Sequence, residues 1–187
     1  VLDRLDTNTA QELEDLTLEP FPISRGDSIT DLSIDNLDDA TILKWSGSRF
    51  ESQHLIKHVK LASLDEDKVK SIHERLVDRW SEIEGFEARG HEMHHRILSG
   101  QSVSKGLAED VFDNLGPVVA STLLSDALDN EERGDLRILS ARAAIAIGEA
   151  KMALKISEGL TEQADRLKIE MESFRLLGKE SRFLAAE

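Results

Sequence analysis

Apolar residues recur at every seventh position from Val69 to Ile97. Val69, Leu76, Ile83, Gly90 and Ile97 fall on one position of the repeat, and Ile72, Phe86 and Met93 on a second. Such spacing draws a stripe along one face of an α-helix and leaves no alternating face for a strand. It predicts a packed or coiled-coil helix of about 35 residues, opened by a Ser63–Glu66 capping box and ended by Ser99-Gly100. Arg79 interrupts the second series, and Trp80 beside it covers the gap.

The rest of residues 48–187 carries the same signature. Ser48 with Glu51 forms a capping box before Leu55, Ile56, Val59 and Ala62, which share one helical face. Leu107, Val111, Phe112 and Leu115 predict a short helix closed by Gly116, and Pro117 suits the first turn of the next, through Leu123, Leu124 and Leu128. After a turn at 130–134, Asp135 caps a long helix with apolar residues on two sides. Ala143, Ala144 and Gly148 within it permit close approach to neighbours. Gly159 ends that helix and Thr161 caps the last one, whose Ala164, Leu167, Met171 and Phe174 keep heptad spacing up to Gly178. The short link between them predicts an antiparallel hairpin. The expected class is all-α, a helical bundle with long heptad-patterned helices.

Residues 1–47 read differently, as an acidic and mostly extended arm preceding this body. The chain carries 23 Lys and Arg against 37 Asp and Glu, and residues 1–45 hold 11 of the acids with only three bases. Thr9 with Glu12 predicts one short helix through Leu13 and Leu16, stopped at Pro20 because proline constrains the residue before it. Residues 23–37 have no sustained period, and a second short helix is expected over 39–45. No segment reads as a strand. A net charge of −14 disfavours phosphate backbones and anionic membranes, so neither a nucleic acid held by basic contacts nor a membrane is expected as partner. Without a signal peptide or an apolar stretch long enough to span a bilayer, a cytoplasmic or other intracellular location is expected.

Chemistry is bounded first by composition: with no cysteine there is no disulfide, thiolate metal site or thiol nucleophile. The strongest local pattern is His91-Glu92-Met93-His94-His95, whose H-E-x-x-H spacing resembles the zincin metalloproteases over those positions. The resemblance implies His91 and His95 as zinc ligands and Glu92 as general base. The heptad phase, with Met93 inward, places both histidines on outward positions. All six histidines lie between residues 54 and 95, and both Glu51–His54 and Glu92–His95 have E-x-x-H spacing, similar to the paired motifs of ferritin-like di-iron proteins. Glu51, His54 and His58 share a helical face, which allows a divalent metal or a pH-sensitive patch. Glu84–Glu87 with Glu132–Asp135 is similar to the magnesium motifs of all-α nucleotide pyrophosphohydrolases, and the Arg-Gly-Asp tripeptides at 25–27 and 133–135 resemble integrin ligands but read as turns.

Long apolar stripes without a convergent polar site favour a non-enzymatic structural or protein-interaction subunit, self-associating or bound to a protein partner, with no cofactor required. The alternative is a metal-dependent hydrolase at the His91 segment or a ferritin-like protein, holding zinc or iron.

Overall fold

Asp6 opens the first helix, α1 (Thr7–Leu18), by accepting hydrogen bonds from the Asn8 and Thr9 amides, each at 3.0 Å. The cap is therefore Asp6 and not Thr9, whose hydroxyl donates to the same carboxylate. Glu19 leaves the helix in an extended conformation, as the residue before Pro20 must. The computed structural model describes residues 5–27, 30–127 and 134–184. The chain divides into two compact units, Val1–Glu84 and Gly85–Glu187.

In the first unit the segment expected to be an extended arm is folded. A short strand β1 (Ile23–Ser24) and a 3-10 turn at Arg25–Asp27 lead to α2 (Asp31–Asp39), capped by Thr30. The predicted helix over 39–45 is instead β2 (Leu43–Ser46), which turns through Gly47 and Ser48 into β3 (Arg49–Ser52). Gly47 has φ +63°, the left-handed backbone that the first position of a two-residue hairpin loop requires. The sheet is antiparallel in the order β1-β3-β2, with Phe50 opposite both Ile23 and Trp45. Ser48 thus sits in a turn and Glu51 in a strand, and neither forms a capping box. The small sheet corrects the expectation that no segment is a strand, while the helical class fits a chain with ten α-helices among the described residues.

Two further helices complete this unit, α3 (His54–Ala62) and α4 (Glu66–Glu82), the latter capped by Asp65 rather than Ser63. The core joins Leu13 and Leu16 of α1, Ile34 and Leu37 of α2, Phe50 of β3, and Ile72, Leu76 and Trp80 of α4, all buried. The acidic side of α1 is sheathed in cations. Glu14 pairs with Lys60 and Lys68, each at 3.2 Å, Asp15 with Arg75, and Arg79 lies 3.7 Å from both Glu12 and Asp15. Glu12, Glu14 and Asp15, part of a carboxylate excess that looked like a solvating arm, thus meet bases far later in the chain, on α3 and α4.

The expected continuous helix over 63–99 does not form. Ile83 is extended and Gly85 has φ +130°, separating α4 from α5 (Phe86–Ser99), so one heptad series serves two helices in different units. Gly100, at φ +77°, closes α5 as expected.

The second unit continues with α6 (Lys105–Leu115), α7 (Pro117–Ala127), α8 (Gly134–Ala146), α9 (Ala150–Ser157) and α10 (Gln163–Leu184). Gly116 and Pro117 separate α6 from α7 as their chemistry dictates. The helix expected to run from 135 to 159 breaks at Gly148, whose φ of +88° no L-residue adopts without strain. A Cβ there would meet nothing within 4 Å, so this glycine serves the backbone and not close packing. Ala141, Ala143 and Ala144 of α8 are fully buried, and α8 touches α6, α7, α9 and α10. Around it Ala153, Ile156, Leu160 and Ile169 form a core with Ile138, Ile145 and Met152 packed against it. Leu128, the 130–133 part of the expected turn, Glu132 and Arg133 lie outside the described residues.

Candidate functional site

Two helices carry histidines one turn apart. On α5 the buried residues include His91, Glu92, Met93 and His95, so the outward placement expected from the heptad phase does not hold. A helix of this length covered on more than one side obeys no single stripe. The ring nitrogens of His91 and His95 approach within 4.8 Å, and the His94 and His95 rings lie 5.0 Å apart, edge to face.

Glu92 is the residue a hydrolase would need as base, and its carboxylate is clamped. Arg89 donates to Oε2 at 2.8 Å and Arg96 to Oε1 at 2.9 Å, from one turn before and one turn after. A further Arg96 nitrogen reaches the Gln101 side chain at 3.2 Å. Both oxygens of the carboxylate thus already accept charge-assisted hydrogen bonds from guanidiniums. The adjoining cleft, about 510 Å³, is lined by Arg89, Glu92, Arg96, Ser104, Lys105 and Asp110. Its Ser104 hydroxyl already caps α6 through the Leu107 amide. Arg89, Glu92 and Arg96 of this charged corner are engaged with one another.

On α3, in the first unit, His54 and His58 are exposed and their Nε2 atoms meet at 2.9 Å. The cleft beside them, about 360 Å³, is lined by Lys44, Glu51, Ser52, Lys57 and Leu61 besides the two histidines. Glu51 comes from β3 and not from the histidines' helix, yet it reaches the same cleft, where Lys44 of β2 holds it at 3.0 Å. Lys57 donates to the Glu19 carbonyl at 3.0 Å, and burial pushes its ammonium below the ordinary lysine value. The three residues that sequence spacing grouped therefore line one cleft, on two different elements.

The ferritin-like pairing fares differently. Glu51–His54 runs from a strand into a helix in the first unit, and Glu92–His95 lies on a helix in the second, so the two motifs are not equivalent. Glu84 and Glu87 are exposed, and Glu132 lies outside the described residues. Arg25 of the first Arg-Gly-Asp pairs with Asp35 at 2.8 Å within a 3-10 turn.

Sequence reasoning missed the surface of α10. Ile169 and Ser173 are buried, whereas Leu167, Met171 and Phe174, the heptad residues, are 49%, 72% and 61% exposed. The stripe was legible, but not the side of the helix that faces the fold. Among the described residues no helix is long and apolar enough to cross a membrane. Comparison with protein-family models, curated proteins and solved structures finds no match for this chain.

Proposed function

We propose that the protein is a non-enzymatic interaction subunit that associates with a second copy of itself through α10. The observation that carries this reading is the exposed seam of Leu167, Met171 and Phe174 on a helix already anchored by Ile169 on its other face. Spacings of four and three residues between large apolar side chains are those of knobs that fit holes on a like helix. Charge favours a parallel partner. With Ala164 and Met171 at one core position and Leu167 and Phe174 at the other, the flanking residues are Glu170 on one side and Lys168 and Arg175 on the other. A parallel pair brings Glu170 near Arg175 of the second copy, whereas an antiparallel pair sets like charges against each other.

Light scattering and sedimentation of the full chain test this reading. The expected result is a dimer at micromolar concentration, converted to monomer by Met171→Glu with Phe174→Glu at unchanged helical circular dichroism. A parent chain that stays monomeric, or a dimer indifferent to both substitutions, overturns it. Charge reversal sharpens the orientation: Glu170→Lys weakens the dimer, and adding Arg175→Glu restores it.

The hydrolase reading remains the alternative, favoured by the approach of His91 to His95 within 4.8 Å and opposed by the clamp on Glu92. Zinc-dependent peptide hydrolysis abolished by Glu92→Gln would establish it over the first.

A further inference from the structure

We infer that His54 and His58 form a surface site for a borderline divalent transition-metal ion of the zinc, nickel and copper class. Imidazole nitrogen is a preferred ligand for these ions, and residues four apart on a helix lie one above the other. Their side chains here do more than share a face: the two Nε2 atoms converge to 2.9 Å. Two nitrogens on one ion, each about 2.0 to 2.1 Å from it, are about 2.9 Å apart for a right-angled pair and about 3.3 Å apart for a tetrahedral one. Small ring rotations span that difference. Without an ion the contact is a single exposed hydrogen bond between the two rings, which gains little against the rotamer freedom that it costs.

A second feature marks the cleft as a place where a ligand sits. Ser52, 4% exposed, lines it with an Oγ that has no hydrogen-bond partner among the described residues. A buried hydroxyl in that state is where a bound water or an ion's hydration shell is expected. None of the residues of helix α3 is buried and its N-cap Gln53 makes no side-chain capping bond, so the first turn, where His54 sits, is without a side-chain cap. An ion held between its first and second turns would brace it. Every other charged group of the cleft has an internal partner: Glu51 is held by Lys44, and Lys57 by the Glu19 carbonyl. The ion's remaining positions thus fall to water or to an outside donor, which makes this a binding site open to solvent and not a closed structural one.

The test uses the full chain without an affinity tag, titrated calorimetrically with zinc chloride. One equivalent is expected to bind, at least tenfold more weakly in His54→Ala or His58→Ala and not measurably in the double variant. Zinc should also raise the melting temperature of the parent and leave that of the double variant unchanged. Because substitution can disturb α3, proton NMR of the parent gives a second reading, in which the ring signals of His54 and His58 shift before those of the other four histidines. The inference is overturned if the parent binds no zinc, if the double variant binds it as tightly as the parent, or if other histidine signals shift first.

Discussion

Helices α3 and α5 each carry a pair of histidines four residues apart, and in the sequence a glutamate stands three residues before one histidine of each pair, yet the two sets are in opposite physical situations. Glu92 is buried between two arginines on its own helix, and His91 and His95 are buried with it. His54 and His58 are exposed, with converging nitrogens and a glutamate contributed by a neighbouring strand. Spacing along a helix decides which side chains can meet. Burial and the charges supplied by other residues decide what they do when they meet.

The largest expected effect that tests this contrast is on the clamp. Arg96→Ala removes a charge-assisted hydrogen bond from a buried carboxylate and should destabilise the second unit by about 2 kcal/mol, read as a lowered melting temperature. His58→Ala on the exposed side should stay within about 0.5 kcal/mol. If the two variants melt alike, the distinction between the clamp and the surface pair is wrong.

Glycines extend the comparison to the backbone. Gly148→Ala forces an L-residue to φ +88° and should cost about 1 kcal/mol, with Gly148→Asn milder because asparagine tolerates left-handed backbone. Gly106, near the start of α6, also has open space around a Cβ, but it needs no positive φ. Gly106→Ala should therefore stabilise by a few tenths of a kcal/mol, opposite in sign. Paired thermal melts distinguish backbone strain from overpacking, because overpacking would make Gly148→Leu far worse than Gly148→Ala.

The smallest effect sets two neighbouring carboxylates of α1 against each other. Burial on its own would push Glu14 up, but hydrogen bonds and charge from Lys68 and Lys60 outweigh it and hold the group below the ordinary glutamate value. Burial pushes Asp15 above the ordinary aspartate value, even with Arg75 and Arg79 beside it. Glu14 thus contributes stability above the ordinary glutamate value, lost as pH falls through its lowered pKa. The contribution of Asp15 is present below the ordinary aspartate value and lost as pH rises through its raised pKa. Carbon-detected NMR titration should show the two shifts with opposite sign, and Lys68→Ala should move Glu14 upward. Shifts of the same sign would mean that the cations around α1 do not discriminate between the two.

Much of the helical class was legible because its signals are local. Pro20, Gly100 and the Gly116-Pro117 pair mark helix boundaries through backbone sterics that operate wherever they occur. The grouping of Glu51, His54 and His58 was legible too, although through the wrong geometry, since a strand and not a helix brings Glu51 to the cleft. The sheet was not legible. Strands of two to four residues offer too few positions for an alternation to show, and Thr41, at φ +56°, follows α2 where a glycine would have announced its end.

By itself, then, the sequence determined the apolar stripes, several helix ends and the histidine spacings, all of which depend on residues within a turn or two of one another. Only the tertiary structure decided that the acidic N-terminal segment is a folded part of its unit, because its carboxylates meet Lys60, Lys68, Arg75 and Arg79 across the chain. It also decided which side of α10 faces the core, leaving Leu167, Met171 and Phe174 exposed. And it placed one histidine pair in the interior and the other at the surface. Burial is a property of what packs against a helix, and no periodicity within that helix specifies it.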